Sequence, residues 1–250
     1  MLIASVIMPY YKKKEFFQEA YYSALSQNIK NLEIIIIYDD IDRSDVKFLK
    51  KIINNRKNTK LIVNKRKLGA GLSRNIGIKN AKGKYICFLD CDDIWKKNKL
   101  SYQLNFMERN CIDFTHTSYS VINQTGQFLY NLIAKQELTY KDLIQSCDIA
   151  LSTVVLKKSI FKNYKFINII TKEDYLLWLQ LSKNKKIKIV GIDKIFSSWR
   201  NVGNSLSSGV WQRIKDAFKI YYIYEKKSLI MSIMKVFILS FFALKKKVLY

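Results

Sequence analysis

Three carboxylates lie within four residues at the end of one apolar segment of the chain. The stretch is residues 85–100, YICFLDCDDIWKKNKL. Its apolar run comes first, and the acids that follow it are Asp90, Asp92 and Asp93. Like charges this close repel one another and resist removal from water, so they are stable mainly in solvent or around a cation. An Asp-x-Asp pair offers few ligands, which suits Mg²⁺ or Mn²⁺ that completes its shell with water and substrate phosphates. The spacing therefore predicts a bound diphosphate, which the cation would stabilise as a leaving group.

Short apolar runs alternate with helix-length amphipathic runs in the first part of the chain. We expect strands at LIASVIM, LEIIIIYDD, KLIVNK and KYICFLD, and helices at KEFFQEAYYSALSQ, residues 44–55 and GLSRNIGIKNA. Apolar strands that alternate with helices are typical of a parallel sheet covered on both faces. Such sheets bind ligands at the carboxyl ends of their strands. Pro9, Tyr11, Asp39 and Asp40 also end strands, so we expect them at the same edge as the acids.

Other roles are open for some of these residues. Asp39 and Asp40 are also common turn formers and helix caps. Arg74 lies where the loop after the third strand enters a helix, and there it could add positive charge to the same phosphates.

The pattern is looser in the second half of the chain. DFTHTSYSVIN predicts a strand that continues past the turn QTGQ, and KIKIVG and KIFSSW predict two more strands, so we expect a mixed sheet. Between them, TKEDYLLWLQLSKN predicts a helix with Thr171 as its N-cap. Capping and the helix dipole are sufficient to explain the acids of its first turn, Glu173 and Asp174.

The composition limits the classes of function. With 250 residues, 49% of them hydrophobic, the chain can bury a full core. Its formal charge of +24 indicates an anionic partner, such as phosphate, nucleic acid or an acidic membrane surface. No recognition helix, RNP-type strand or metal-finger spacing favours nucleic acid. One histidine and four cysteines without a CxxC pair argue against a zinc site and a disulfide framework.

The C-terminal part is the most apolar. WQRIKDAFKIYYIYEKK predicts an amphipathic helix, and residues 228–244 are apolar except for Lys235 and serines. That run is shorter than the roughly 20 residues of a spanning helix. Lysines at 226–227 and 245–247 favour a helix in the interface of an anionic bilayer, and a helix docked on the protein's own core is the other interpretation. The N-terminal apolar run precedes its positive charges, so it predicts a strand and not a signal peptide.

Four motifs occur in a characteristic order: SVIMPYY, LEIIIIYDD, LGAGLSRNIGIKNAKGKYICFLDCDDIWKKNKL and KEDYLLWLQL. Over about residues 3–210 the chain resembles the family-2 glycosyltransferases of the GT-A fold, in particular bacterial enzymes of surface-polysaccharide assembly. The resemblance implies an α/β fold with a Rossmann-like, mostly parallel central sheet flanked by helices. It also implies a nucleotide-sugar-binding half at 1–110, a mixed-sheet acceptor and catalytic-base half at 111–210, and C-terminal helices at 211–250.

The resemblance implies the reaction as well. We expect an inverting, metal-assisted transfer of one sugar from a nucleotide-diphosphate sugar to a saccharide acceptor, with Mn²⁺ or Mg²⁺ as the cofactor. The acceptor is expected to be lipid-linked, in capsule, O-antigen or other surface-polysaccharide synthesis. We expect a cytoplasmic protein, peripheral at the inner face of the plasma membrane, with an anionic membrane surface and no nucleic acid as partner. The Gln-x-x-Arg-Trp stretch of processive members does not occur in the sequence, which favours single-sugar transfer.

Each candidate residue has an implied role by this resemblance. The residues that would hold the nucleotide sugar are Pro9, Tyr11, Asp39, Asp40, Arg74, Asp90 and Arg200. Among them, Tyr11 would face the nucleobase, Asp40 would accept a hydrogen bond from it, and Asp90 would contact the ribose or sugar. Asp92 would bind the metal, and Asp93 would support the site from the first turn of the next helix. Asp174 would be the general base, which an in-line displacement requires on the face opposite the leaving group.

The sequence departs from the family pattern at three places. Lys12 stands where the family usually has Asn, DDIDRSD replaces DDGSTD, and SSWRNVGNSLSS lacks the family's histidine. Arg200 is therefore implied only as a donor-phosphate contact.

Three other functions share parts of the pattern. A haloacid-dehalogenase-type phosphatase also has Asp-x-Asp after a strand, but that motif ends in Thr or Val on the first strand, whereas Ile94 stands here after three earlier strands. A nucleotidyltransferase would have a glycine-rich loop after the first strand, where PYYKKKEFF has no glycine. A catalytically inactive, basic membrane- or nucleic-acid-binding module would have no use for a metal ligand and a base.

Overall fold

The computed structural model describes residues 3–203 and 209–248. The elements of the first half are β1 (Ala4–Tyr10), α1 (Lys14–Leu25), β2 (Leu32–Tyr38), α2 (Val46–Ile53), β3 (Thr59–Val63), α3 (Ala70–Asn80), β4 (Tyr85–Phe88), β5 (Ile94–Trp95) and α4 (Lys99–Arg109). Strands β3, β2, β1 and β4 lie side by side in that order, and all three pairings are parallel. The predicted parallel sheet is confirmed, whereas β5 was not predicted, and α4 begins later than the helix that was expected to start near Asp93.

The second half contains shorter and more irregular elements. They are β6 (Phe114–Ile122), β7 (Phe128–Leu132), β8 (Glu137–Leu138), α5 (Tyr140–Leu143), β9 (Val155–Lys157), α6 (Glu173–Ser182), β10 (Ile189–Arg200), α7 (Val210–Lys219), a π-helical turn (Ile220–Tyr224) and α8 (Leu229–Val248). Strand β9 pairs antiparallel with β4 and β6, and so joins the two halves into one sheet. Because β10 lies parallel to β6 and β7 antiparallel to it, the predicted mixed sheet is confirmed.

Two local predictions are wrong, and a third is confirmed only in part. KIKIVG and KIFSSW form the single strand β10, whose pairing with β6 shifts register after Ile192; this irregularity interrupts the apolar pattern. The N-cap of α6 is Lys172, with a φ of 61°, and not Thr171, which donates its N–H and its hydroxyl to Asp216 of α7. The helix predicted at WQRIKDAFKIYYIYEKK leaves α-helical geometry after Lys219 and continues as the π-helical turn.

The sheet is buried on both faces by two apolar clusters. Along β1, Ile7 belongs to one cluster and Val6 to the other, as expected for side chains that alternate between the two faces of a strand. Helix α6 covers the first face with Trp178, and α1 covers the second with Phe17. Helix α3 approaches β1 so closely that a Cβ on Gly77 would lie 2.5 Å from Ile7 Cγ2. Dense packing on both faces fixes the strand ends that carry the acids.

Helix α8 is covered on one side only. Ser232 and Leu239 are buried against α7 and the core, whereas side chains on the opposite side are exposed. Among the described residues, no helix combines the length and the apolar character needed to cross a membrane. The predicted boundaries at residues 110 and 210 stay predictions.

Candidate active site

Asp93 fixes the acidic turn that follows β4. Its buried carboxylate accepts hydrogen bonds from the Ser152 hydroxyl and, at 3.0 Å, from the Arg200 backbone N–H. The Ser152 oxygen in turn accepts the Asp90 N–H at 3.1 Å. Burial, together with the nearby acids, raises the pKa of Asp93 well above its usual range. Asp93 was expected in the first turn of the next helix, but it lies in the turn before β5, because that helix begins only at Lys99. Its supporting role in the site stays a prediction.

Asp90 and Asp92 each lie beside a cation. The carboxylate of Asp92 is 2.8 Å from the Lys13 ammonium at the start of α1, and that of Asp90 is 2.7 Å from Arg74. Burial and the adjacent Asp90 raise the pKa of Asp92, although Lys13 acts in the opposite direction. Lys13 therefore only partly offsets the effect of burial and of Asp90 on the Asp92 carboxylate.

Arg74 connects the two halves of the sheet. It is 3% exposed, and its two terminal nitrogens donate to Asp90 and to Glu173 at the start of α6. Burial alone would lower the pKa of Arg74, but these two carboxylates outweigh burial and raise it. Gly71 suits the close approach of α3 to α6, since a Cβ there would lie 3.1 Å from Glu173 Cγ and would crowd that side chain. Capping could explain Glu173 in the sequence, so its bond to Arg74 was not predicted.

Asp174 lies next to this ion pair in the first turn of α6. The only hydrogen bond described for its carboxylate comes from the Tyr175 backbone N–H at 2.7 Å. Burial raises the pKa of Asp174, and Asp90 adds to this effect while Arg74 opposes it. A carboxylate with a raised pKa is a stronger base than a solvated one. Asp174 therefore has the chemical character that a general base requires, beside the Arg74 ion pairs with Asp90 and Glu173.

Asp39 and Asp40 differ although they are adjacent. The carboxylate of Asp39 accepts the backbone N–H groups of Leu68 and Gly69 at 2.8 and 2.7 Å, and so holds the loop that leads into α3. Gly69 has a φ of 90°, which favours glycine at this turn. Asp40 accepts one long hydrogen bond, 3.3 Å from the Asp42 N–H. The Asp40 carboxylate can therefore accept further hydrogen bonds, whereas the Asp39 carboxylate already accepts two from the backbone.

The end of β1 reaches the acidic turn. The Cys91 thiol donates to the Pro9 carbonyl over 3.3 Å, which links the two segments. The Lys67 ammonium lies 3.8 Å from the centre of the Tyr11 ring. Tyr11 thus presents a half-buried aromatic ring at this edge, beside a cation that the sequence analysis did not single out.

All three nitrogens of the Arg200 guanidinium group donate hydrogen bonds within the protein. Its Nε donates to the Asp92 carbonyl at 2.9 Å, and its terminal nitrogens donate to the Gln124 carbonyl and, at 2.6 Å, to Glu19. With 4% exposure it ties α1 and the β6–β7 turn to the acidic turn. This arrangement is that of a structural tie, and the predicted contact with donor phosphate stays a prediction. Residues 204–208 of the motif SSWRNVGNSLSS lie outside the described residues.

The carboxylates of the acidic turn suit a metal site in which a bound substrate supplies some of the metal ligands. In the described parts of the chain, no three His, Cys, Asp or Glu side chains are grouped so that they could hold a metal by themselves. Asp92 would be a single carboxylate ligand, and its pKa is raised by burial and by the adjacent Asp90, an effect that a bound cation would oppose. Mg²⁺ and Mn²⁺ accept such sparse protein ligation when substrate phosphates supply further oxygens, so these residues fit the expected cation.

Comparison with known sequences gives consistent matches. Residues 5–169 match the model of glycosyl transferase family 2. The chain is 34% identical to the Escherichia coli protein UDP-Glc:alpha-D-GlcNAc-diphosphoundecaprenol beta-1,3-glucosyltransferase WfgD, over 85% of this chain and 83% of that protein. It is 33% identical to the putative teichuronic acid biosynthesis glycosyltransferase TuaG of Bacillus subtilis, over 88% and 87% of the two chains.

A solved structure has the same fold. The S. aureus TarS 1-349 structure in complex with UDP-GlcNAc superposes with a TM-score of 0.73 and 18% identity, over 89% of this chain and 65% of that chain. The chain thus spans just under two thirds of the TarS structure, and the likeness confirms the predicted α/β GT-A fold. With the family match over residues 5–169, it follows that the chain belongs to glycosyl transferase family 2 and is a glycosyltransferase.

Proposed function

We propose that this glycosyltransferase transfers one sugar from a nucleoside-diphosphate sugar to a lipid-linked saccharide in the synthesis of a surface polysaccharide. The observation that carries the proposal is the position of Asp174, a base with a raised pKa, beside the Arg74 pair that leads to the acidic turn. The names of WfgD and TuaG support the class of pathway, and that of WfgD a lipid diphosphate in the acceptor.

Asp174 removes the proton of the acceptor hydroxyl as that oxygen attacks the anomeric carbon. Attack from the face opposite the diphosphate inverts the configuration of that carbon. Arg74 and Glu173 act as positioning residues, because they hold the α6 turn that carries Asp174 at a fixed place relative to Asp90. An interaction that orients reactants in this way can lower the barrier substantially.

The donor occupies the edge formed by the ends of β1, β2 and β4. Tyr11 contacts the nucleobase and Asp40 accepts a hydrogen bond from it, whereas Pro9 and Asp39 shape the edge through the acidic turn and the loop before α3. Asp92 would hold Mg²⁺ or Mn²⁺, and the cation would supply charge neutralisation for the diphosphate leaving group. Release of Lys13 from Asp92 leaves an ammonium group near the same phosphates.

The working position that we propose is the inner face of the plasma membrane. The acceptor named for WfgD is carried on undecaprenol diphosphate, and an enzyme with such an acceptor must meet it at a bilayer surface. The chain's charge of +24 supports attraction to an anionic surface.

The test is a transfer assay with UDP-glucose, UDP-GlcNAc and further nucleotide sugars, with a synthetic GlcNAc-diphosphate-lipid acceptor and Mn²⁺ or Mg²⁺. The expected product is an acceptor enlarged by one sugar in the mass spectrum, with an inverted anomeric centre by NMR. The matched control is Asp113→Asn, in the same half but paired with Lys157; it should retain transfer that Asp174→Asn loses. A product with retained configuration would refute the displacement described above.

A further inference from the structure

The α7–α8 hairpin exposes an unusual amount of apolar surface. On α8 the outward side chains are Ile230, Ile233, Met234, Phe237, Phe241 and Leu244, and Trp211 of α7 lies on the same hairpin. Phe237 is 71% exposed, Ile230 72% and Trp211 84%. Single exposed apolar residues are ordinary, but a contiguous group of this kind marks an interaction surface.

The hairpin is anchored so that α7 runs along α6. Asp216 accepts the Thr171 N–H at 2.9 Å beside the catalytic end of α6, and Glu225 lies 2.8 Å from the Lys183 ammonium just beyond the other end. Between these anchors the hydroxyl groups of Tyr175 and Tyr221 are 2.9 Å apart. Helix α7 and the π-helical turn therefore lead away from the catalytic edge.

Helix α8 returns along the same path. Only residues 225–228 separate it from the π-helical turn, and it contacts both that turn and α7, so it must fold back. Its 20 residues correspond to about 30 Å, which is enough to reach the level of the catalytic edge. Because Ser232 and Leu239 are buried against the protein, the helix lies on the surface with its other side outward.

We infer that the outward side of the α7–α8 hairpin docks on an anionic lipid bilayer and brings the catalytic edge beside the membrane. No acidic residue follows Glu225 in the sequence, and Lys226 and Lys227 precede the apolar side. That pattern fits a helix lying in the interface of an anionic membrane. A second copy of the chain fits less well, because two chains of charge +24 repel each other. This inference rests on the proposed membrane position and adds the surface and orientation.

The test compares two triple variants of equal charge. Ile230→Gln, Phe237→Gln and Phe241→Gln together remove apolar groups from the proposed docking surface. Phe128→Gln, Leu129→Gln and Ile133→Gln remove exposed apolar groups from the β7 region and serve as the matched control. Binding is measured by flotation with phosphatidylglycerol–phosphatidylcholine vesicles and with phosphatidylcholine vesicles. Circular dichroism and thermal unfolding establish that both variants fold.

The α8 variant should partition into the anionic vesicles about 100-fold less than the wild type, because three inserted side chains are lost. The control should partition as the wild type does, and vesicles of phosphatidylcholine alone should bind the wild type more weakly. The fluorescence of Trp211 should shift to shorter wavelength on binding. Equal partitioning of the α8 variant and the wild type would overturn the inference, as would an equal loss in the control.

A measurement without lipid tests whether a second copy of the chain binds this surface instead. If the wild type dimerises by light scattering without lipid and the α8 variant is monomeric, the surface binds a second copy and the inference is wrong. Vesicle binding needs no donor or acceptor, so it can succeed or fail independently of the proposed reaction. Conversely, transfer to a soluble acceptor that lacks the lipid should be equal in the wild type and the α8 variant.

Discussion

The two halves of the sheet contribute to the site in different ways. In the first half, residues 4–109, parallel strands end together, and the candidate residues follow directly from the strand ends. In the second half, residues 114–200, strands run in both directions, and the proposed base Asp174 lies on a helix after a long irregular segment. In our proposal the first half thus supplies the donor-binding edge, and the second half supplies the catalytic base. Arg74 couples them through Asp90 and Glu173.

Asp174→Asn should show the largest difference between the roles of the two halves. The change keeps the shape of the side chain but removes the base, so transfer should fall about 10²- to 10⁴-fold. Donor affinity should stay near that of the wild type, because the donor edge belongs to the first half. Initial rates and nucleotide titration measure the two quantities. Transfer at the wild-type rate would mean that the base lies elsewhere.

Arg74→Met should break the connection itself. It leaves Asp90 without its cation and Glu173 buried without a partner, so we expect the free energy of unfolding to fall by about 3–5 kcal/mol. Denaturant unfolding measures the loss. The matched control is Arg109→Met at the end of α4, for which no ion pair is described; it should cost much less. An equal loss in both variants would show that the ion pairs of Arg74 add nothing to the free energy of unfolding beyond the effect of an ordinary surface arginine.

Asp92→Asn should affect the donor half alone. Loss of the ligand charge should weaken donor binding in Mn²⁺ by at least about tenfold, which is 1.4 kcal/mol, and should leave the much weaker binding without metal nearly unchanged. Isothermal titration with and without Mn²⁺ distinguishes the two conditions. If metal-dependent binding survives the substitution intact, Asp92 is not the ligand.

Asp39 and Asp40 offer a comparison within one strand end. Asp40→Asn should weaken nucleotide binding by about 1–2 kcal/mol with little effect on unfolding, since its carboxylate has spare acceptor capacity. Asp39→Asn should instead destabilise the protein by a similar amount, because that carboxylate holds two backbone N–H groups. Both quantities should be measured in both variants, and a reversed pattern would exchange the two roles.

The pH dependence of transfer should show the raised pKa of Asp174. The base acts only when deprotonated, so the rate at saturating donor should decline as pH falls through a pKa above the ordinary aspartate value of 3.8. Burial is the main cause of the shift, and the rate should be restored when the pH is raised again. A profile that stays flat down to the ordinary aspartate range would assign the base to another group.

How much of this structure the sequence predicts depends on how far apart along the chain the interacting residues lie. The strands and helices of the first half follow from apolar patterns within about ten residues, and the site residues follow from strand ends. The bond between Arg74 and Glu173 joins positions 99 residues apart, and no local pattern contains it. The local sequence pattern does not distinguish the hydrogen bonds of Asp39 from those of Asp40, which depend on the path of the loop before α3. Likewise, Thr171 does not occupy the N-cap position of α6 but donates to Asp216, a contact over 45 residues that no local pattern contains.

The most direct test of the central claim is a thermal-shift panel of nucleoside diphosphates and nucleotide sugars, with and without Mn²⁺, on the wild type and Asp92→Asn. A ligand that binds only the folded protein raises its melting temperature. We predict a rise that is confined to one nucleotide, needs Mn²⁺ and disappears in Asp92→Asn. No rise with any nucleotide, in wild-type protein that is well folded, would contradict the assignment of the strand ends as a donor site.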